Sequence, residues 1–405
     1  RRVRKEVDKD WEIGCIARWV FQAVPDEERY ALLFERIKGY DIPLTVGAFG
    51  GSRAIYALAM GCQPEEIYQR WIEALTAPLP PEEVRDAPVQ EVRFHGDDVD
   101  LYRLPVPVWT PGKDAGPYFT SHAVVTRDPD TGIVNVGNYR LQLRGRNEIG
   151  IQIFPNQHIG LHLQRYRARG YRSMPIAIAI GIPPTLGLCA TAKIPYGVDE
   201  YAVAGAMARA PLQVTRALTV DLPVPARAEI VLEGEVPVDE LVLEGPFGEF
   251  TGYASTRGTE NVLVPTAIQY RDAAIYQSHN AGLSLEHCMF LAFPREVMLT
   301  QLLRRTIPNL KAVRVPIRSG CGSFHVYVSI RKTAEGQAKQ AIMAVLGADH
   351  YFKHVIVVDD DIDIFNDEEV LWAVATRVQA DKDLIIASGG MGTLLDPSSP
   401  DGTSA

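Results

Sequence analysis

The sequence lacks paired cysteines. Its five cysteines are scattered through 405 residues, and none stands in a C-x-x-C pair. A structural zinc site or a disulfide framework would need closer and more regular spacing, so the sequence supports neither. We therefore expect buried thiols.

A basic excess and a long apolar run are also missing. The chain has 41 Lys and Arg against 50 Asp and Glu, a formal charge of −9, which argues against nucleic acid as a partner. The longest uncharged apolar stretch, residues 174–192, contains three prolines, which interrupt it before it could form a membrane-spanning helix. The first residues lack the apolar core of a signal peptide, so the sequence predicts a cytoplasmic location.

The dinucleotide-binding fingerprint is absent as well. Glycine-rich stretches occur at residues 50–52 and 388–392, but neither has the G-x-G-x-x-G spacing between a strand and a helix. We therefore assign neither stretch to a nicotinamide site. The 46% hydrophobic and 22% charged content is typical of a globular protein, and the length suggests two or three domains.

The predicted fold class is α+β with three domains. A proline-rich connector over residues 77–112 separates an N-terminal α/β domain, residues 1–104, from a β-rich central domain, residues 105–285. Short β-branched runs in the central domain are punctuated by Gly and Pro, and helices are predicted at 160–169 and 200–216. A split β-barrel decorated with helices fits this pattern better than a bare sandwich.

The C-terminal domain, residues 286–405, alternates strand-like and helical segments. Helices are predicted at 286–305, 334–346 and 367–376, and the last segment predicted to be ordered is at 384–387. Strand–helix–strand order of this kind predicts a parallel sheet with crossover helices.

Two carboxylates flank a Gly-Pro-Phe-Gly turn in the central domain. Glu244 and Glu249 lie five residues apart, and the glycines and the proline between them exclude a helix. A rigid loop with two carboxylates is a candidate acid–base site. The alternative is a solvated acidic turn between strands, because surface glutamates are common.

Upstream residues offer a mixed set of metal ligands. Asn135 lies between two strand-like runs, His158 follows Pro155-Asn-Gln, and Glu200 stands at a predicted helix start. Each has an ordinary explanation alone, since a carboxylate at a helix start is favoured by the helix dipole and a single histidine is more often a packed polar residue. Together they form a hard donor set that suits Mn²⁺ or Mg²⁺, and such an ion could bridge a phosphate.

These residues in this order resemble the UbiD family of reversible decarboxylases, which use prenylated flavin mononucleotide. The resemblance runs from about Val7 to Pro397, and its strongest motif is Glu244-Gly-Pro-Phe-Gly-Glu249. Family members have a helix before the position of Val7 and a helical carboxyl segment beyond Pro397. We therefore expect this sequence to be trimmed at its ends.

The resemblance implies roles for individual residues. It implies a divalent metal, usually manganese, held by Asn135, His158 and Glu200, with a potassium ion beside it. It implies that Arg140, Glu244 and Glu249 are catalytic, with Glu249 moving the proton and Arg140 holding Glu244. The residues that it implies for cofactor binding are Asn138, Tyr139, Arg140, Gln157, Ala190, Thr191 and Ala192.

The activity implied is reversible, non-oxidative decarboxylation of an aromatic, heteroaromatic or α,β-unsaturated carboxylic acid through a covalent adduct with prenylated flavin. Such an enzyme depends on a flavin prenyltransferase and is expected to be a homo-oligomer, a dimer or a hexamer. Residues 277–287, with His279 and His287, lie where the family shapes its substrate pocket, and Arg377 is a weaker candidate near the ions. The alternative is a flavin-dependent oxidoreductase on a split barrel, because a fold does not fix its chemistry.

Overall fold

The strands and helices of a computed structural model, which describes residues 1–399, confirm the mixed α/β architecture. The strands are β1 (Arg2–Val3), β2 (Leu32–Phe34), β3 (Leu44–Val46), β4 (Glu82–Glu83), β5 (Val92–His95), β6 (Tyr118–Phe119), β7 (His122–Arg127), β8 (Val134–Gly137), β9 (Leu141–Gly145), β10 (Glu148–Ile151), β11 (Ser173–Ile180), β12 (Gln213–Arg216), β13 (Pro223–Pro225), β14 (Ile230–Pro237), β15 (Leu241–Glu244), β16 (Gly258–Tyr270), β17 (Tyr276–Gln277), β18 (Leu310–Arg314), β19 (His325–Ile330) and β20 (His354–Asp359). The α-helices are α1 (Glu12–Ala23), α2 (Arg53–Met60), α3 (Ile67–Thr76), α4 (His158–Ala168), α5 (Pro184–Thr191), α6 (Glu200–Ala208), α7 (Leu285–Thr306), α8 (Gln337–Leu346), α9 (Asp367–Arg377) and α10 (Ala380–Asp383).

The chain divides into two compact units. The first comprises Arg1–Gly248 and Ala254–Glu286, and the second comprises Glu249–Tyr253 and the chain from His287 onward. The motif loop therefore contributes to both units. The three-domain division predicted from the sequence, with boundaries after residues 104 and 285, stays a prediction.

A ten-stranded sheet dominates the first unit. Its order is β6-β9-β10-β16-β14-β11-β7-β8, and β15 and β5 also pair with the long strand β16. Neighbouring strands run antiparallel, which explains the short connections and frequent turns of this region. Apolar residues of the central strands β11 and β14 are buried, among them Ile176, Ile178 and Leu232. This sheet therefore forms the core that supports the site.

The second unit contains the sheet β18-β19-β20. Strand β19, helix α8 and strand β20 follow one another, and β19 and β20 pair in parallel, as this order predicts. Strand β18 pairs antiparallel with β19, so the sheet is mixed. Its longest helix, α7, has 22 residues and contains Pro294. Among residues 1–399, none of the helices combines the length and the apolar character that crossing a membrane requires.

Two segments differ from the sequence-based expectation. The helix predicted at 200–216 ends at Ala208, because Arg209 adopts a left-handed conformation with φ of 56° and Pro211 follows it, and residues from Gln213 onward form β12. Residues 384–387, predicted to be the last ordered segment, form neither a helix nor a strand, and Ile386 is 90% exposed. An apolar run without a partner strand or a core face has nothing to pair with.

Candidate active site

The first glutamate of the motif terminates a strand rather than lying in a solvated turn. Glu244 is the last residue of β15, faces Gly258 of β16 in the strand register, and is buried. Gly245 follows with φ of 80°, which favours glycine, and the bond from Gly245 to Pro246 is cis. Gly248 is also required, because a Cβ there would lie 2.6 Å from Thr110 Oγ1.

Arg140 forms a buried ion pair with Glu244. Its Nη2 donates to Glu244 Oε2, and its Nη1 donates to Ser255 Oγ over 3.1 Å. The side chains of Arg140 and Glu244 are 10% and 0% exposed. Arg140 immediately precedes β9 and Glu244 ends β15, so the pair joins two segments of the ten-stranded sheet that are distant in the sequence. Charge-assisted bonds of this kind fix geometry as well as charge.

Aromatic rings surround this ion pair. The ring of Tyr118 lies 4.3 Å from that of Phe247, and the guanidinium of Arg140 lies 5.9 Å from the Phe247 ring centroid. Burial and the nearby charge of Glu244 raise the pKa of the Tyr118 phenol, so this group stays protonated. Oε1 of Glu244 is buried without a hydrogen bond of normal geometry among the described residues. The pair therefore lies in a site that excludes water.

Asp114 holds the turn that follows Glu244. Its carboxylate accepts hydrogen bonds from the backbone N–H groups of Gly248 and Thr110, each over 2.7 Å. The N–H of Ala115 donates to Pro246 O over 2.8 Å. Burial raises the pKa of Asp114. These contacts fix the turn within the first unit up to the residue before Glu249.

Glu249 belongs to the second unit. Its N–H donates to Tyr253 O over 2.9 Å, and its side chain is largely buried. The next residue, Phe250, is 2% exposed, and its ring lies 5.7 Å from that of Phe324 and 6.1 Å from that of Tyr351. Glu249 is thus attached to the second unit through an aromatic anchor. Its predicted partnership with Arg140 stays a prediction.

Two of the predicted metal ligands approach β8, and the third begins a helix that contacts this strand. Asn135 is on β8 and donates from Nδ2 to the hydroxyl of Tyr139 over 3.2 Å. Glu200 begins α6, and its Oε2 accepts from the N–H of Val136 over 3.2 Å. His158 begins α4, which contacts β8, and its ring lies 5.1 Å from that of Tyr196.

The donor set fits a hard divalent cation. Burial lowers the pKa of His158, which favours the neutral imidazole that binds metals. Burial, with the neighbouring charge of Asp199, raises the pKa of Glu200 to about 8, and no Arg or Lys of residues 1–399 pairs with it. No group of three or more His, Cys, Asp or Glu side chains suited to a metal occurs in the described part of the chain. The amide oxygen of Asn135 would therefore have to complete the set.

The residues predicted to bind the cofactor lie on the segments around β8. The N–H of Asn138 donates to Ala190 O over 2.8 Å, and its side chain donates to His122 O over 2.7 Å, which ties this segment to the end of α5. Thr191 ends α5 and Ala192 caps it. Gln157 precedes α4 and accepts from the N–H of residue 154 over 3.0 Å. The structure thus gathers these residues where α4, α5 and α6 contact β8.

Three other predicted residues have separate surroundings. Arg377, in the second unit, pairs with Asp361 through two hydrogen bonds of 3.0 and 2.8 Å at an exposed position. His279 is buried in the first unit, where its backbone O and N–H both bond to Thr120 Oγ1. In the second unit, the ring of His287 lies 6.1 Å from that of Phe250. Their roles stay predictions.

Three contacting residues were missed from the sequence: Asp114, Tyr118 and Ser255. Asp114 carried the one local signal, because Thr110-Pro-Gly-Lys-Asp114 is a typical turn sequence in which an Asp side chain bonds backbone N–H groups. Tyr118 is placed by the pairing of β6 with β9, and Ser255 accepts from Arg140 from outside the strands, so no local pattern predicts either contact.

Comparison with known protein families agrees with this geometry. The models of a 3-octaprenyl-4-hydroxybenzoate carboxy-lyase match the chain in three parts: the N-terminal domain over residues 1–75, the Rift-related domain over 82–283 and the C-terminal domain over 288–404. The chain belongs to the UbiD family. The resemblance predicted from the sequence is confirmed.

Individual UbiD proteins are similar over nearly the whole chain. An anhydromevalonate phosphate decarboxylase of Methanothermobacter thermautotrophicus is 34% identical over 402 residues, which are 99% of this chain and 91% of the relative. The UbiD-class enzyme HmfF from Pelotomaculum thermopropionicum, in complex with FMN, gives a TM-score of 0.92 at 39% identity and covers 100% of this chain and 88% of its own. An evolved dimeric form of HmfF in complex with prFMN gives 0.89 at 37% identity, with coverage of 96% and 88%.

Proposed function

We propose that this protein is a decarboxylase that uses prenylated flavin mononucleotide and acts on an aromatic, heteroaromatic or α,β-unsaturated carboxylic acid. Membership of the UbiD family supports the reaction class, and the similarity to HmfF bound to FMN and prFMN supports the flavin. The observation that carries the proposal is the buried Arg140–Glu244 ion pair in the glutamate motif of this family. A flavin oxidoreductase would need no such pair, and it is not favoured.

The chain supplies the proton chemistry. The modified flavin, when bound, provides the electron sink that decarboxylation of an unsaturated acid requires. As the bond to the carboxyl group breaks, CO₂ leaves and the electron pair stays on carbon, which takes a proton from the carboxyl group of Glu249. Water returns that proton to Glu249, and the reverse sequence gives carboxylation. Arg140 holds the side chain of Glu244 through their ion pair, so that both charged groups keep their positions beside the reacting group.

The same proposal assigns the cofactor's anchors. Asn135, His158 and Glu200 would hold Mn²⁺ or Mg²⁺ against the flavin phosphate, with K⁺ beside it. The cofactor-binding residues are Asn138, Tyr139, Arg140, Gln157, Ala190, Thr191 and Ala192. We propose further that the ten-stranded sheet is the split barrel of a flavin-binding domain, that the enzyme is a dimer or hexamer, and that it depends on a flavin prenyltransferase.

Production of the protein with and without a flavin prenyltransferase tests the function. Protein made with it should contain prenylated flavin by mass spectrometry and release CO₂ from members of a panel of unsaturated and aromatic acids. Protein made without it should contain at most plain flavin mononucleotide and be inactive. Full activity without the prenyltransferase, or NAD(P)H oxidation in place of CO₂ release, would contradict the proposal.

A further inference from the structure

Tyr139 lies back across the end of β8. Its side chain is buried, and a Cβ on Gly137 would lie 2.4 Å from its hydroxyl oxygen. The ring can adopt this position only because residue 137 has no side chain. The sequence Gly137-Asn-Tyr139 therefore directs a phenol into the space between β8 and the helices that contact it.

The side chain of Asn135 donates to the hydroxyl oxygen. Asn135 Nδ2 lies 3.2 Å from it, and the N–H of Ile159, in the first turn of α4, is close enough to act on the phenol. The first N–H groups of a helix have no partner within the helix, so an acceptor near them is favourable. The phenol oxygen thus lies near both the strand that carries Asn135 and the start of the helix that begins with His158.

The same contact orients the amide of Asn135. A metal binds the carbonyl oxygen of an asparagine and never its NH₂ group. Because Nδ2 donates to Tyr139, Oδ1 is directed away from the phenol, and a flip of the amide would break the bond.

We propose that Tyr139 is a positioning residue that holds the Asn135 amide and the start of α4, with His158, so that Asn135, His158 and Glu200 face one divalent cation. This inference rests on the metal site of the proposed function. Tyr139 acts through the ligands and is not a ligand itself. A phenylalanine would fill the same space but would leave Asn135 Nδ2 without this acceptor.

Binding of Mn²⁺ alone tests the inference apart from decarboxylation. The full chain is titrated with Mn²⁺ as the wild type and as Tyr139→Phe, and electron paramagnetic resonance measures the free Mn²⁺. Tyr201→Phe is the matched control. Tyr201 is also a buried tyrosine, beside Glu200, but its hydroxyl donates to Pro223 O over 3.0 Å. Partners behind metal ligands typically contribute 10- to 100-fold in affinity, so Tyr139→Phe should weaken Mn²⁺ binding about 10- to 100-fold. The control should weaken it less than about threefold, although both variants lose a buried hydrogen bond.

A double variant separates positioning from a general loss of stability. In an Asn135→Ala background one of the two groups that Tyr139 orients is already gone, so adding Tyr139→Phe should cost much less affinity than it does in the wild type. Equal losses in both backgrounds would overturn the inference, and so would unchanged Mn²⁺ affinity in Tyr139→Phe. Failure of the wild type to bind Mn²⁺ would overturn the inference together with the metal site. Mn²⁺ binding that depends on Tyr139 in a protein without decarboxylase activity would support the inference and contradict the proposed function.

Discussion

Two buried glutamates of the first unit differ in what balances their charge. Glu244 meets the guanidinium of Arg140. Glu200 accepts a backbone hydrogen bond from Val136 but meets no Arg or Lys of the described chain, and its pKa is raised to about 8. Both side chains are equally hidden from water, at 1% and 4% exposure of the residue.

The difference indicates two uses for a buried carboxylate. Where the chain supplies its own cation, as at Glu244, the pair is complete and its role is to fix geometry and charge. Where burial is not offset by a cation, as at Glu200, an ion from solution can supply the missing positive charge. The neighbouring neutral donors, Asn135 and His158, suit a divalent metal.

Removal of Glu249 should have the largest effect on activity. A positioned acid contributes about 10² to 10⁴ in rate, so Glu249→Gln should lower the rate of CO₂ release by roughly that factor while the flavin content is unchanged. The control is Glu240, an exposed glutamate that immediately precedes β15, and Glu240→Gln should leave the rate unchanged. Retained turnover in Glu249→Gln with the cofactor bound would remove the proton role from this residue.

Removal of one partner of the ion pair should mainly lower stability. Glu244→Gln removes the charge that pairs with buried Arg140 in this ion pair, which should reduce the free energy of unfolding in urea by about 3 to 5 kcal/mol. The double variant Arg140→Met/Glu244→Leu should recover most of this loss but no activity. The exposed pair Arg216–Asp221, 2.9 Å apart, is the control, and its disruption should cost less than about 1 kcal/mol. Equal losses of stability at the buried pair and at the exposed pair would contradict the structural role given to the Arg140–Glu244 pair.

Glu286 tests a buried carboxylate that accepts hydrogen bonds from backbone N–H groups. It accepts from Gly47 over 2.6 Å and Asn280 over 2.9 Å, and burial raises its pKa from 4.5 to about 7. The folded state therefore binds more protons than the unfolded state between these pH values, so the free energy of unfolding should fall as pH rises through that window. The slope should be at most about 1.4 kcal/mol per pH unit, with or without Mn²⁺.

Denaturation curves between pH 4.5 and 7 measure this slope. Glu286→Gln should make it shallower, and Glu240→Gln should not change it. A slope that is the same in Glu286→Gln and the wild type would show that Glu286 is not the titrating group.

The smallest effect is expected at Asp114. Asp114→Ala removes the acceptor of the Gly248 and Thr110 N–H groups, which at a partly exposed position should cost about 1 kcal/mol of stability. Because this turn leads directly to Glu249, the rate should fall about tenfold. Asp86→Ala, at an exposed site, is the control for both measurements. An unchanged rate would show that the turn keeps its shape without Asp114.

Much of the fold could be predicted because its patterns are local. In the second unit, α7 and α9 begin and end within two residues of the predicted bounds, since their starts and lengths are set by nearby sequence. The predicted end of α6 was wrong because hydrophobic periodicity does not predict the left-handed conformation of a single residue, here Arg209. The apolar run at 384–387 shows the same limit, since a strand needs a partner strand.

The site was less predictable than the fold. Spacing alone favoured a solvated turn at Glu244, whereas strand pairing buries it against Arg140, which lies far away in the sequence. The ligand set could be named from donor chemistry and family resemblance. Its arrangement around Tyr139 depends on where α4 and α6 begin relative to β8, which follows from tertiary packing.

Mn²⁺ binding by Glu200→Gln and Glu244→Gln compares the two carboxylates directly. Titration of free Mn²⁺ by electron paramagnetic resonance should show that Glu200→Gln loses tight binding, because the metal loses its only charged ligand in the set. Glu244→Gln should bind Mn²⁺ as the wild type does, because its charge is already balanced by Arg140. Loss of Mn²⁺ binding in both variants, or in Glu244→Gln alone, would contradict the claim that Arg140 balances the charge of Glu244 and a metal ion balances that of Glu200.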